Sequence, residues 1–497
     1  MRQYLGHYLT SPPSKLHLDL AEDLKDFHLR RGSKENRIAP RGSAKTTWMT
    51  TGYVLFCVAE KLESFVLLLS ETSDQAKGFL NQIKEELEDN RALARDYPLA
   101  VGMGSKWDSS HIVTSNGIQI VAKSVGGSIR GVKKRQNRPS LIVIDDPNER
   151  DDAYSPVKRQ RKWEWFTLDV SSVGDIATTN TLVAGTPIHG EAICCKLRDT
   201  PGWKTKSYRS IIEFPKRMDM WATWERILTN LGDQDRINTA RAFYESHKAE
   251  MDEGAVLLWP ERESLYDLMC FKAANGDRAF GSEKQDEPGV DGATEWPPEY
   301  FDWPGFWFDD WPTGLISRVY SLDPSKGKDS KSSDYQAHTK VGICHDGTIC
   351  IEADLRRENV SLMAGRAINE SIDFRSMELL VEDNGTMGMI EPEFRRMMQD
   401  LGKIAPLKTI TSTEHKMVRI RTVGPWLARK QIRVRNTPGG KLLVAQWKSV
   451  PNGEFDDGPD SASLGIRRAV ELINRAAPIT AEHSDTIMGS MLDAAFQ

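Results

Sequence analysis

Long apolar segments are scarce in this chain of 497 residues. No run of about 18 apolar residues occurs, which is the length that a helix needs to cross a bilayer. The longest strongly apolar stretch covers only residues 53–59. The first twenty residues contain no apolar signal core, so we expect no secretion by that route. These absences exclude a helical membrane channel.

Cysteine is also rare, since the chain has six Cys residues and none of them stands in CxxC spacing. This excludes a disulfide-rich scaffold and favours a reducing, cytosolic compartment. Neither an internal repeat nor a long low-complexity tract is present. Hydrophobic residues make up 39% of the chain, which is enough for more than one core and excludes disorder of the whole chain.

A strong excess of either charge is lacking, because 66 Lys and Arg stand against 71 Asp and Glu, for a formal net charge of -5. The distribution is less even. Residues 403–448 contain eleven Lys or Arg and one acid, Glu414, and residues 130–138 contain five basic residues and no acid. Such stretches fit either polyanion binding or a solvated basic face.

The first third of the sequence alternates short aliphatic segments with helical patterns. We predict buried strands at 65–70, 118–122, 141–144 and 181–184, with a helix from about 73 to 95. Strands that alternate with helices predict a doubly wound parallel sheet.

In the remaining sequence the composition and the predicted secondary structure change twice. Residues 201–312 are rich in Trp and helical patterns, and residues 275–305 are rich in Gly, Pro and acids, which predicts a helical lid-like region followed by a linker. A second strand-rich pattern then predicts strands at 319–322, 340–344, 348–353 and 379–381 and a helix at 460–477. We expect disorder after 478. The predicted division is 1–200, 201–312, 313–477 and 478–497.

Residues 39–47 form a glycine-poor variant of a phosphate loop. The pattern GxxxxGK[S/T] binds phosphates because small residues let backbone N–H groups surround them, Lys neutralises the β and γ oxygens, and a hydroxyl holds Mg²⁺. Ala39 and Ala44 replace the two glycines here, although Ala adopts positive φ less readily. An ordinary basic turn before a helix is the alternative. The candidate nucleotide-binding residues are Arg41, Gly42, Ser43, Ala44, Lys45, Thr46 and Thr47.

Two further strand ends strengthen the prediction of an ATPase. Four aliphatic residues precede Asp145, the candidate second Mg²⁺ ligand, and Asp146, the candidate base that orients water. Asp146 also fits a helix N-cap, and Glu149 is the reserve candidate base. Another strand ends at Thr186, a candidate sensor of the γ-phosphate. Arg130 follows a glycine-rich loop and fits equally well an arginine finger or a contact to a DNA phosphate.

Acidic residues mark three positions in the second half, two at strand ends and one at a helix start. Such an arrangement suits two divalent ions about 4 Å apart, which activate water and stabilise the leaving oxygen when a phosphodiester is cleaved. Acids also end strands and cap helices routinely. Adjacent strand residues point to opposite faces, so only one of Glu382 and Asp383 should face the metals. The candidate catalytic and metal-binding residues are Asp323, Glu382, Asp383, Asp456, Asp457 and Asp460.

The order of these motifs resembles the large terminase subunit of tailed bacteriophages, over roughly residues 20–475. One departure is Asp146, where the family usually has Glu. The segments that carry the resemblance are Arg41-Gly42-Ser43-Ala44-Lys45-Thr46, Asp145-Asp146, Gly185-Thr186-Pro187, residues 282–288 (SEKQDEP), Asp323-Pro324, Glu382-Asp383-Asn384-Gly385, residues 416–420 (KMVRI) and Asp456-Asp457-x-x-Asp460-Ser461.

The resemblance implies an α/β architecture: a P-loop ATPase domain with a parallel sheet and a lid-like region, followed by a ribonuclease H-like nuclease domain. It implies a viral DNA-packaging motor that uses ATP with Mg²⁺ to drive double-stranded DNA through a portal into a procapsid. It also implies cleavage of concatemeric DNA with two divalent ions, Mg²⁺ or Mn²⁺. The expected partners are double-stranded DNA, the portal protein, the small terminase subunit and further copies of the chain in a ring on the portal. Whether the free chain is a monomer stays open. No membrane partner is expected. The expected location is the host cytoplasm during phage assembly rather than the mature virion.

Two other classes of function stay open. One is a helicase-like remodelling ATPase whose ribonuclease H-like domain does not cleave, and the other is a non-enzymatic virion or scaffold protein. If the chain binds DNA through its basic stretch, we expect contacts to backbone phosphates from a set of cations there. These are Arg419, Arg421, Arg429, Lys430, Arg433 and Arg435.

Overall fold

The structure, a computed structural model, describes residues 1–129, 138–148, 152, 155–288, 295–324, 335–383, 390–412, 414, 416–451 and 453–476. The chain divides into two compact units. The first unit contains Met1–Lys216, Gly254–Leu268 and Arg278–Asp291, and the second contains Arg217–Glu253, Met269–Asp277 and Gly292–Gln497. The region 201–312, predicted as a lid-like region and linker, therefore contributes segments to both units.

Helices and strands alternate along most of the described chain. The helices are α1 (Lys15–Lys25), α2 (Tyr53–Ala59), α3 (Ser73–Asp89), α4 (Arg91–Asp96), α5 (Pro156–Trp165), α6 (Ser171–Val173), α7 (Ile193–Lys196), α8 (Met218–Leu228), α9 (Arg236–Met251), α10 (Leu265–Lys284), α11 (Val360–Asp373), α12 (Ile390–Leu401), α13 (Lys416–Arg421), α14 (Gly424–Ala428), α15 (Pro438–Ser449) and α16 (Asp457–Ala476). The strands are β1 (Lys34–Ile38), β2 (Phe65–Ser70), β3 (Met103–Trp107), β4 (His111–Thr114), β5 (Gln119–Ser124), β6 (Leu141–Asp145), β7 (Asn180–Gly185), β8 (Trp203–Ser207), β9 (Ile211–Glu213), β10 (Val256–Leu257), β11 (Trp307–Phe308), β12 (Leu315–Asp323), β13 (Gln336–Cys344), β14 (Ile349–Arg356), β15 (Glu378–Glu382), β16 (Leu407–Ile410) and β17 (Ile432–Arg435).

The first unit is built on an eight-stranded sheet in the order β3-β4-β5-β2-β6-β7-β1-β8. From β5 to β8 every neighbouring pair is parallel, and only the β3-β4-β5 edge is antiparallel. All residues of β2 and β7 are buried, as expected for aliphatic strands covered on both faces. Because β7 lies between β1 and β6, the carboxyl ends of these three strands meet at one edge of the sheet.

The second unit is built on a seven-stranded sheet in the order β11-β17-β14-β13-β12-β15-β16. Strands β12, β13 and β14 form an antiparallel meander, and β15 and β16 extend it in parallel with β12. This mixed sheet, with helices on both faces, confirms the predicted α/β fold class.

The two faces of that sheet are covered by different helices. Ser321 donates a hydrogen bond of 2.6 Å to the carbonyl of Ser461 in α16, and Val319 packs in the same core as that helix. Tyr320 and Leu322 pack instead with residues of α11 and α12. The alternation of strand side chains therefore places Asp323, the next residue, on the α16 face.

The secondary structure confirms the predicted strands in both halves, with bounds that differ by a few residues. The prediction of one helix over 73–95 is wrong, because Asn90 is extended and its side chain accepts from the N–H groups of Ala92 and Leu93, which starts the new helix α4. The predicted linker is also wrong in its first part, since helical structure resumes after a kink at Gly276, where φ is 81°, and continues to Lys284.

The predicted disordered tail at 478–497 lies outside the described residues. Among the residues that the structure describes, no helix is long and apolar enough to cross a membrane.

Gly465 lets α16 lie directly on the sheet, and this contact generates a prediction. A Cβ atom at Gly465 would stand 2.8 Å from both Ser321 Oγ and Val341 Cγ2. We expect Gly465→Ala to lower the free energy of unfolding of the second unit by roughly 1–3 kcal/mol, as overpacked cores do. Equilibrium denaturation measures this change.

Gly78 provides the matched control, because it is also a helical glycine but a Cβ there would meet nothing within 4 Å. Gly78→Ala should be neutral or slightly stabilising, since Ala favours the helix. Equal stability of Gly465→Ala and the unmodified chain would show that α16 does not need this close approach.

Two candidate functional sites

The phosphate loop of the first unit runs from the end of β1 to a π-helical turn at Thr47–Gly52 that precedes α2. Two of its residues have a left-handed backbone, Gly42 with φ of 83° and Ala44 with φ of 56°. Glycine adopts this conformation without cost, whereas Ala44 pays a steric penalty. The loop therefore keeps the curled shape of a phosphate loop even though its second glycine is Ala.

Lys45 lies at the centre of the three strand ends, and its side chain is only 6% exposed. Its Nζ donates to Thr186 Oγ1 at 2.9 Å and lies 2.9 Å from Asp146 Oδ2. Burial alone would lower the pKa of Lys45, but the charges of Asp146 and Asp145 outweigh burial and raise that pKa. Lys45 therefore stays cationic in the loop.

Asp146 accepts hydrogen bonds from Thr186, the residue that follows β7. Its Oδ1 accepts from the backbone N–H of Thr186 at 2.8 Å and from the Thr186 hydroxyl at 3.2 Å. Asp146 itself has a left-handed backbone, with φ of 39°. The sequence-predicted residues Lys45, Asp146 and Thr186 thus form one connected group.

Thr46 and Asp145 form the second half of this site. The Thr46 hydroxyl lies 2.9 Å from Asp145 Oδ2 and 3.1 Å from Oδ1. Burial raises the pKa of Asp145 to about 7, and the charge of Asp146 adds to the rise while Lys45 opposes it. A hydroxyl beside a carboxylate is a suitable pair of oxygen ligands for Mg²⁺.

The loop also fits a phosphate group. Ser43 Oγ is buried and has no hydrogen-bond partner among the described residues. A Cβ on Gly42 would meet nothing within 4 Å, so space adjoins the curled backbone. The remaining candidates at this site, Arg130 and Glu149, lie outside the described residues.

Sequence reasoning missed His17, which braces the phosphate loop. The ring accepts at Nδ1 from the Ser14 N–H, so its Nε2 carries the proton and donates to the Ser43 carbonyl at 2.8 Å. The ring stacks on Trp48 with centroids 4.9 Å apart and meets Trp259 edge-on at 4.7 Å. Burial lowers the pKa of His17, which keeps the ring neutral.

The segment 282–288, noted only through the family resemblance, contacts the same loop. The Arg41 N–H donates to the Glu283 carbonyl at 3.0 Å, and Arg41 Nε lies 2.8 Å from Glu283 Oε2. Lys284 Nζ also donates to the Arg41 carbonyl at 3.3 Å. No local pattern links residues 17 or 283 to residues 41–43, so these contacts had no signal in the sequence.

The second site is an acidic cluster at the carboxyl ends of β12 and β15 and the first turn of α16. One carboxylate oxygen from each of Asp323, Glu382 and Asp460 lies within 4.8 Å of the other two. Leu380 packs in the core shared with α16, whereas Leu379 and Val381 pack on the opposite face. The same alternation places Glu382 on the face of the cluster and Asp383 on the other.

The remaining acidic candidates lie beside this cluster. Asp457 Oδ2 accepts from the Tyr335 N–H at 2.8 Å, and Asp457 Oδ1 lies 3.0 Å from Lys416 Nζ. Asp456 Oδ1 lies 2.7 Å from the same ammonium. The structure thus brings Asp323, Glu382 and Asp460 together directly, and it links Asp456 and Asp457 to them through Lys416.

A buried arginine holds two members of the cluster. Arg419 Nη1 lies 2.6 Å from Glu382 Oε1, while Nη2 and Nε lie 2.6 and 3.0 Å from the two oxygens of Asp460. Despite Arg419, burial and the charge of Glu382 raise the pKa of Asp460 to about 6. Burial raises the pKa of Asp323 further, to about 8, and the charges of Asp460 and Glu382 add to it. This clustered negative charge favours additional cations, so the donor set fits divalent ions.

Much of the predicted DNA-binding stretch forms ion pairs inside the second unit. Arg419 is buried in the acidic cluster, so the prediction that it contacts DNA phosphates is wrong. Other members of the stretch also have acidic partners: Arg421 with Glu295 at 2.8 Å, Arg429 with Glu225 at 2.8 Å and Arg435 with Glu352 at 2.7 Å. A run of basic residues in sequence is here largely a set of internal counter-ions.

Comparisons with known proteins find structural similarity only. No family model matches the sequence, and no curated protein matches it. The large terminase of a thermophilic bacteriophage is 11% identical, with coverage of 91% of this chain and 98% of that chain and a TM-score of 0.44. The large terminase of bacteriophage HK97 is 12% identical, with 88% of each chain covered and a TM-score of 0.29. The Phi-28 gp11 DNA packaging motor is 9% identical, with coverage of 86% and 96% and a TM-score of 0.25.

The left-handed backbone of Ala44 generates a prediction about the phosphate loop. We expect Ala44→Gly to keep the loop intact, because relief of roughly 1 kcal/mol of strain offsets the greater freedom of Gly in the unfolded chain. Ala44→Val should lower the stability of the first unit by roughly 1 kcal/mol or more, since a β-branched residue tolerates positive φ poorly. Equilibrium unfolding and titration with a fluorescent ATP analogue measure both effects. Equal behaviour of the two variants would contradict this backbone conformation.

Proposed function

We propose that the chain is the ATPase and nuclease subunit of a viral DNA-packaging motor. In this proposal it hydrolyses ATP to move double-stranded DNA into a procapsid and cleaves concatemeric DNA. The observation that carries the proposal is that one chain holds both a phosphate loop joined to a strand-end acid pair and a carboxylate cluster at the edge of a second, mixed sheet. Each site occupies the carboxyl edge of its own sheet, where α/β proteins place their ligands.

The ATPase chemistry is assigned to the group around Lys45. ATP with Mg²⁺ supplies a phosphoanhydride and a γ-phosphoryl group that is transferred to water. Lys45 and the N–H groups of the loop hold the phosphate oxygens, and Thr46 with Asp145 holds Mg²⁺. Asp146 accepts a proton from the attacking water and orients it.

Thr186 is suited to couple this chemistry to movement. Its hydroxyl bonds to Lys45 and its backbone N–H bonds to Asp146, so it contacts both groups that the nucleotide engages. It also stands directly after β7, the strand between the two nucleotide motifs. A change in either contact therefore passes directly to β7.

The nuclease chemistry is assigned to Asp323, Glu382 and Asp460, with Asp456 and Asp457 beside them. These carboxylates would hold two divalent ions, Mg²⁺ or Mn²⁺, and the ions would supply the positive charge that activates water and stabilises the leaving oxygen. Double-stranded DNA, the portal protein, the small terminase subunit and further copies of the chain in a ring are the partners that this function requires.

One observation favours a second candidate, a helicase-like remodelling ATPase whose second unit does not cleave. Arg419 engages both Glu382 and Asp460, and a buried arginine in place of a metal ion is what a non-cleaving cluster would retain. Metal-dependent nicking of plasmid DNA by the purified chain separates the two candidates, because only the packaging nuclease cleaves.

Lys45→Ala should reduce ATP hydrolysis by roughly hundredfold or more, since it removes the charge that stabilises the transferred phosphoryl group. Metal-dependent plasmid cleavage by the same preparation should persist, because Lys45 touches none of the nuclease carboxylates. Lys77→Ala is the matched control, since Lys77 lies on the surface of α3 near Asp74. Unchanged ATP hydrolysis in Lys45→Ala would refute the phosphate-loop assignment.

The adjacent residues Glu382 and Asp383 provide an internal comparison for the nuclease assignment. Glu382→Gln should abolish plasmid cleavage, as should Asp323→Asn, because both carboxylates belong to the cluster. Asp383→Asn should keep most of the activity, because that side chain belongs to the opposite face of β15. Wild-type cleavage by Asp323→Asn, in a preparation shown free of contaminating nuclease, would refute the assignment of the cluster. Plasmid nicking with Mg²⁺ or Mn²⁺ measures all three, with the melting temperature of each variant as the check that its second unit folds.

A further inference from the structure

The Lys416 ammonium lies between the acidic cluster and the neighbouring carboxylates of Asp456 and Asp457. Lys416 Nζ is 2.7 Å from Asp456 Oδ1, 3.0 Å from Asp457 Oδ1 and 3.9 Å from Asp460 Oδ2. Its charge also acts on Asp323, whose pKa it lowers against the effect of burial. An ammonium with several carboxylate oxygens around it has the surroundings that a bound divalent ion requires.

Lys416 and Arg419 differ in how firmly they are held. The Arg419 side chain is 7% exposed and makes three charged hydrogen bonds in a fixed fork. The Lys416 side chain is 31% exposed, begins α13 and ends in a single group on a flexible stem. Moving Lys416 into solvent therefore disrupts much less than moving Arg419.

Building on the nuclease proposed above, we propose that the Lys416 ammonium is a built-in substitute for one divalent ion, which must displace it to complete the nuclease site. Without metal, Lys416 offsets the repulsion among the carboxylates and keeps the cluster assembled. With metal, the ammonium and an ion bound at the cluster repel each other, because Lys416 Nζ lies only 3.9 Å from Asp460 Oδ2 and two cations at such short distances repel. Lys416 thus sets the concentration of divalent ion at which the site fills.

The competition makes an unusual prediction, because removing a side chain from the site should strengthen metal binding. Lys416→Met should bind Mn²⁺ roughly tenfold more tightly or better, since the ion no longer displaces a cation. The same variant should have a lower melting temperature without metal, because the carboxylates lose a counter-ion. Mn²⁺ should then raise its melting temperature more than that of the unmodified chain.

The experiment is isothermal titration of the full chain with Mn²⁺, without nucleotide, in an Asp145→Asn background that removes the oxygen ligand at the phosphate loop. Lys416→Gln serves as a second variant and should behave like Lys416→Met. Lys416→Arg keeps the charge and should bind Mn²⁺ no more tightly than the background chain. Lys448→Met is the matched control, because Lys448 pairs with Asp302 at the surface of the same unit, 3.3 Å away.

The outcomes separate this inference from the proposed nuclease. If Asp323→Asn weakens Mn²⁺ binding while Lys416→Met and Lys416→Gln leave it unchanged, the competition is refuted and the nuclease site stands. If Asp323→Asn binds Mn²⁺ as well as the background chain, the nuclease site is refuted and the competition with it. Tighter binding in both uncharged variants, but not in Lys416→Arg or Lys448→Met, supports the inference.

Discussion

Ionised carboxylates that are buried side by side repel one another, and in both sites of this chain basic side chains offset that repulsion. In the first unit Lys45 lies against Asp146 and within the field of Asp145. In the second unit Arg419 pairs with Glu382 and Asp460, and Lys416 pairs with Asp456 and Asp457 beside them. An uncompensated buried charge costs several kcal/mol, so each basic side chain holds its acids in place. In the proposed function, the same acids would bind Mg²⁺ or other divalent ions.

The sheets explain how these charges meet. Parallel strands end at one edge, which gathers the residues after β1, β6 and β7 in the first unit. In the second unit, alternation along β12 and β15 selects Asp323 and Glu382 for one face, and the close approach of α16 at Gly465 brings Asp460 to them. Each sheet thus brings the acidic and basic residues close enough for their side chains to touch, and the attraction between their charges determines which of them pair. The packing of α16 at Gly465 therefore also determines where Asp460 lies in the acidic cluster.

Much of this arrangement could be predicted from the sequence, because strands, phosphate loops and strand-end acids leave local patterns. The pairing of Thr46 with Asp145 followed from two such patterns on neighbouring strands. The brace formed by His17 and the burial of Arg419 could not be predicted, since both depend on contacts between residues distant in the chain. The basic stretch shows most clearly what composition cannot predict. Its composition suggested contacts to DNA phosphates, whereas Arg419 forms ion pairs with carboxylates of its own unit.

The most direct measurement is a crystal structure of the full chain grown with Mn²⁺ and a non-hydrolysable ATP analogue, with manganese located by its anomalous scattering. The central claim predicts one anomalous peak bonded to Thr46 and Asp145 beside the analogue, and at least one more among Asp323, Glu382 and Asp460 with the Lys416 ammonium displaced. Density for the nucleotide without any manganese at the acidic cluster, and with Lys416 still in contact with Asp456 and Asp457, would contradict it.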